Sequence, residues 1–108
     1  MSHLITVVET PLFIREAGRL LSDKDRLELV EFLAENPESG VIMQGTGGVR
    51  KLRWRGSGRG KRGGVRIIYY WHAARSRVYL LFMYPKSVQD TLTPQQAEAI
   101  RKAVKEIV

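Results

Sequence analysis

Residues 49–71, VRKLRWRGSGRGKRGGVRIIYYW, are the stretch on which the chain is organised. A basic, aromatic run enters a glycine-rich turn and leaves it as a second apolar, aromatic run. Alternating β-branched and aromatic residues on either side of such a turn read as a β-hairpin. Eight cations lie between Arg50 and Arg66: Arg50, Lys51, Arg53, Arg55, Arg59, Lys61, Arg62 and Arg66, with no acidic residue among them. On a strand from Val49 to Arg55, Lys51 and Arg53 share one face, and Leu52 and Trp54 share the other. Residues 56–64 are too long for a two-residue turn and form an open loop. On the next strand, Val65 to Trp71, the residues Val65, Ile67, Tyr69 and Trp71 face one way, and Arg66, Ile68 and Tyr70 the other.

Working outward, His72 to Ser76 form a turn and Arg77 to Tyr84 a further strand. That strand is nearly continuous in apolar residues, as expected of one covered on both faces. Thr93-Pro94-Gln95-Gln96 is the signature of a capped helix start, and Ala97, Ile100, Val104 and Ile107 make its inner stripe. On the other side, residues 39–48 read as a loop carrying Gly40, Gly45, Gly47 and Gly48. Leu4 to Val8 read as a short first strand. Thr10-Pro11 starts a helix, with Phe13, Ala17, Leu20 and Leu21 at helical spacing. Ser22-Asp23-Lys24-Asp25 starts a second one, with carboxylates where the helix dipole favours them. It carries Leu27, Val30, Phe32, Leu33 and Ala34 and ends at Asn36-Pro37. The order β-α-α-β-β-β-α predicts one α+β domain over residues 1–108: an antiparallel meander backed by two N-terminal helices and a C-terminal helix.

Charge is segregated along the chain. Residues 39–89 hold eleven Lys or Arg and no Asp or Glu, a charge of +11; the remainder holds seven bases and eleven acids, −4, for the net +7. A cationic surface of one sign is the footprint of a nucleic-acid partner. There is no cysteine, which removes disulfides and thiolate metal sites. The N-terminus lacks a basic, then apolar, leader pattern. The longest apolar run, Val78 to Pro85, is too short to span a bilayer. A cytoplasmic protein without a membrane role is expected.

Several formal motif matches fail on context. Gly58-Arg59-Gly60-Lys61-Arg62-Gly63 fits a dinucleotide-binding glycine spacing, but a strand follows where a helix is required. Arg62 stands where a Walker loop needs Ser or Thr. His3 and His72 have no ligand spacing, and the acid-free middle segment has no carboxylates for a two-metal nuclease. No metal or cofactor is called for. The remaining catalytic material is cations and a tyrosine. RNA suits it, because its 2′-hydroxyl is an internal nucleophile beside the scissile phosphate. A site must take that proton, neutralise the transition state and protonate the 5′-oxygen. Clustered cations perform the second task directly, and neighbouring positive charge lowers a lysine pKa toward the first. The candidates are Lys51 as base or partner of the base, Arg53 and Arg66 as phosphate clamp, and Lys86 as acid or second clamp. Tyr84 would stack on a base or hold the backbone. Arg50, Arg55, Arg59, Lys61 and Arg62 are candidate RNA contacts.

GTGGVRKLRW, GRGKRGGVRIIYYW and VYLLFMYPKSVQDTLTPQQ resemble the HigB-like branch of the RelE toxins of bacterial type II toxin–antitoxin systems, over nearly the whole chain. The resemblance implies a RelE-like fold. It implies a metal-independent mRNA endonuclease that acts on the ribosome by 2′-hydroxyl attack. It also implies neutralisation by a cognate antitoxin, a HigA-like helix-turn-helix protein. The family's basic pair on the second strand matches Lys51 and Arg53. Its third-strand arginine matches Arg66, and its cation after the fourth strand matches Lys86, beside Tyr84. The RelE tyrosine further into the C-terminal region has no counterpart after Lys86, and the histidine that some relatives use is missing. Two alternatives are a ParE-like relative that shares the fold but inhibits DNA gyrase, against which the dense Lys/Arg face stands, and a non-catalytic RNA-binding module.

Overall fold

A computed structural model describes residues 4–56, 64–89 and 91–108. Strand β1 (Thr6–Glu9) leads into helices α1 (Pro11–Leu20) and α2 (Asp23–Glu35). Strands β2 (Val41–Ile42), β3 (Val49–Trp54), β4 (Val65–His72) and β5 (Arg77–Pro85) follow, and helix α3 (Pro94–Ile107) closes the order. The expected α+β layout stands. Each of these three α-helices follows a residue whose side chain caps it. The Thr10 hydroxyl accepts from the Phe13 N–H and the Ser22 hydroxyl from the Asp25 N–H. Thr93 and Gln96 exchange both bonds of a capping box, at 3.1 and 2.9 Å.

The sheet order is β1-β5-β4-β3-β2. β3, β4 and β5 form the expected antiparallel meander. Two details differ from the sequence reading. β1 joins the sheet parallel to β5, because α1 and α2 carry the chain back over the sheet before it re-enters. Within the expected loop 39–48, Val41 and Ile42 pair antiparallel with Lys51 and Arg50 to make a fifth, two-residue edge strand. Two residues are too short for any periodicity to announce them.

Both faces of the sheet are covered. On one, α1 and α2 supply Phe13, Ala17, Leu20, Leu29 and Leu33, which pack on Val65, Ile67, Tyr69, Val78, Leu80 and Met83. On the other, α3 sets Ile100 and Val104 against Val49, Ile68, Leu81 and Phe82. β5 reaches both layers through a bulge. Ile68 pairs with Phe82 and Tyr69 with Leu80, which leaves Leu81 as the extra residue. Leu81 and Phe82 therefore face the same layer, and the alternation of the rest of β5 is inverted.

A cationic cavity on the sheet

The sheet face under α3 is apolar at one end only. At the other end it is lined by cations, and the register places them. Arg53 pairs directly with Arg66 across β3 and β4, and Arg66 pairs with Tyr84 across β4 and β5. One row of this face thus reads Arg53, Arg66, Tyr84, with neighbouring strands about 4.8 Å apart. The adjoining row holds Val41, Lys51, Ile68 and Phe82. Beyond Tyr84, the Lys86 N–H donates to the Gly64 carbonyl at 3.1 Å, so Lys86 continues the strand's alternation onto the same face. It does so because of the bulge at Leu81; in unbroken alternation from Tyr79, Lys86 would face α1 and α2.

Lys51, Arg53, Arg66 and Lys86 line one cavity of about 510 Å³, together with Ser39, Val41 and Leu52. Arg66 is 7% exposed while Arg53 stands in solvent. Like charges directly opposed on a sheet destabilise it. Here two guanidinium groups are held as cross-strand partners and two ammonium groups line the same cavity. Among the described residues, no carboxylate and no imidazole is part of its wall. Such a site is suited to an anion that several cations can surround at once.

The other expected site residues are not gathered there. Tyr84 sits in the row but is 2% exposed, packed beside Phe82 with ring centroids 6.2 Å apart. A buried ring has no face to offer a base, so the stacking role does not hold; Tyr84 floors the site from within the core. Arg50 falls on the opposite face. It donates to the carbonyls of Glu38 at 3.0 Å and Gly40 at 2.8 Å, so it ties down a loop and is not presented to RNA. Arg55, just past the end of β3, lies 3.9 Å from both Asp25 and Glu28 of α2, away from the cavity. Arg59, Lys61 and Arg62, like His3, lie outside the described residues. Among the described residues no cluster of three or more His, Asp or Glu side chains could hold a metal ion. Ser39 and Val41 are cavity residues that the sequence reading missed. The β-branched Val41-Ile42 pair was the only local hint.

A family model described as the RelE toxin of the RelE/RelB toxin–antitoxin system matches residues 7–108. The chain belongs to the RelE toxin family. A free-state structure of an arginine-to-alanine double mutant of the E. coli toxin RelE superposes with a TM-score of 0.60 at 18% identity. The match covers 98% of this chain and all of that one. At that identity the likeness speaks for the fold, which is the RelE fold. As a RelE-family toxin, this protein is one half of a toxin–antitoxin pair. None of its described helices is long and apolar enough to cross a membrane.

Proposed function

We propose that this RelE-family protein is an mRNA endonuclease of the HigB-like branch, acting in the cytoplasm on ribosome-bound transcripts without a metal ion and restrained by a HigA-like antitoxin. One observation carries the reading: Lys51, Arg53, Arg66 and Lys86 line a single cavity to which no described residue brings a negative charge. The 2′-oxygen of the bound nucleotide attacks the adjacent phosphorus as the bond to the 5′-oxygen breaks. The products are a 2′,3′-cyclic phosphate and a 5′-hydroxyl. Arg53 and Arg66 clamp the phosphate and take up the charge that accumulates on its oxygens, which is the task fixed cations do best. Lys51 removes the 2′-proton or positions the group that does. Lys86 supplies the proton to the 5′-oxygen or forms a second clamp. The tasks left to Lys51 and Lys86 are those of general base and general acid, for which removal of one group costs about 100-fold or more.

The test is a short pulse of expression followed by mapping of transcript 5′ ends. Cuts confined to translated frames, with 5′-hydroxyl termini, are the expected result, and Lys51→Ala and Arg66→Ala should each abolish them. An unchanged transcript map alongside impaired supercoiling by purified gyrase would replace this reading with gyrase inhibition. Tight, salt-sensitive RNA binding with intact transcripts would reduce the protein to a binding module.

A further inference from the structure

The wall of the cavity beside Lys51 is built from a segment that the sequence presents as an ordinary loop. Residues 37–42 are pinned from below. The Tyr69 hydroxyl donates to the Pro37 carbonyl at 2.9 Å and accepts from the Gly40 N–H at 2.8 Å. Arg50 closes on the carbonyls of Glu38 and Gly40. Gly40 is buried, and a Cβ there would lie 2.8 and 2.9 Å from the Tyr69 ring edge and hydroxyl and 3.1 Å from the Arg50 Cβ. Only a glycine lets the segment come this close. A tyrosine side chain and an arginine are thus committed to fixing a backbone that otherwise carries just two paired residues. What the fixed segment presents to the cavity is Ser39 and Val41. Val41 is 72% exposed and stands directly beside Lys51 across the sheet. This apolar side chain, one strand from a cation, packs into neither core cluster.

We infer that Ser39 and Val41 form a nucleobase subsite. A base attached to the nucleotide whose phosphate occupies the cation clamp lies against the Val41 methyl groups, and the Ser39 hydroxyl lies within reach of its edge. This inference rests on the RNA-cleavage reading above and adds the element of that site that selects among bases. The cations read a phosphate and are blind to sequence; a short apolar wall with one hydroxyl beside it is the kind of surface that contacts bases. Ile42, on the same strand and 53% exposed, is absent from the cavity wall and serves as an internal control.

The experiment uses the full-length toxin with a short single-stranded RNA carrying a 2′-O-methyl group at the scissile nucleotide, which prevents cutting, and a matched RNA lacking that one base. Wild-type protein should bind the intact RNA about fivefold more tightly than the abasic one, no more than the lower end of what a base gains on an aromatic ring, because Val41 offers methyl groups instead. In Val41→Ala that preference should fall to near unity, while Ile42→Ala should keep it. Gly40→Ala, which displaces the whole wall, should also lose it, with circular dichroism confirming the fold. In transcript maps, Val41→Ala should still cut, more slowly and with a flatter base distribution next to the cut. A base preference undiminished in Val41→Ala, or equally lost in Ile42→Ala, overturns the subsite and leaves the cleavage reading intact. Wild-type protein that binds RNA yet never cuts sinks the cleavage reading and, with it, this inference.

Discussion

Arg53 and Arg66 are direct partners across β3 and β4, the first exposed and the second buried, so two like charges are paired on one row of the sheet. Opposed like charges in this geometry cost roughly 0.2–1 kcal/mol relative to a neutral pair. Arg53→Thr, which keeps a strand-favouring side chain, should therefore raise stability in urea by a few tenths of a kcal/mol, more at low salt. The same variant should cut transcripts far more slowly. A variant both less stable and fully active would show that the pair is an ordinary surface feature. Gly64 is constrained from the other direction. Its φ is +69°, and a Cβ would run into the Trp54 carbonyl oxygen, a backbone atom that cannot move aside cheaply. Its carbonyl also holds the Lys86 N–H. Gly64→Ala should cost more than about 1 kcal/mol, read from the denaturation midpoint, and should impair cleavage through the displaced Lys86.

At the scale of the elements, the helices are bounded by their own caps and the strands by their partners. α3 is held to the sheet by Ile100 and Val104 and started by the reciprocal Thr93–Gln96 bonds. Thr93→Ala removes one half of that box and should destabilise the protein by about 1 kcal/mol without altering the transcript map, since α3 supplies no residue to the cavity wall. A change in cut sites in this variant would mean that α3 takes part in substrate selection. The bulge in β5 is a different kind of element. It decides which face Tyr84 and Lys86 share, and so whether the fourth cation meets the other three. The period-2 pattern of β5 cannot disclose it, because its residues are apolar on both faces and a one-residue slip leaves the pattern unchanged. β2 escapes the sequence for the opposite reason: two residues are too few to carry a pattern at all.

Across the whole molecule, the separation of charge is the feature that reaches furthest. The acids flank the acid-free middle segment in sequence, and Arg26 with Glu9, Arg19 with Glu16 and Arg101 with Glu98 form ion pairs outside that segment. Of the middle segment's cations, Lys51, Arg53, Arg66 and Lys86 come together on one cavity. If all four cavity cations meet phosphates, binding of single-stranded RNA should weaken with a slope near −3 in log affinity against log salt, roughly −0.7 for each contact. Alanine at Lys51, Arg53 or Lys86 should flatten it by about 0.7 each. A slope near zero, measured by fluorescence anisotropy from low to high salt, would remove the cavity as the RNA site.

By itself the sequence determined the α+β class, the three helices with their first residues, the meander, and the acid-free segment that carries the cations. These are written in local signals: capping residues, proline positions, side-chain period and charge counts, each legible within a few residues. Only the tertiary structure decided that β1 enters parallel, that Arg50 and Arg55 turn from the cavity to Gly40 and α2, that Tyr84 is buried, and that Lys86 joins Lys51, Arg53 and Arg66. Those outcomes depend on register and on a bulge, and register is set by partners 5 to 71 residues away; no local pattern of residues encodes the distance between two strands that the chain has yet to bring together.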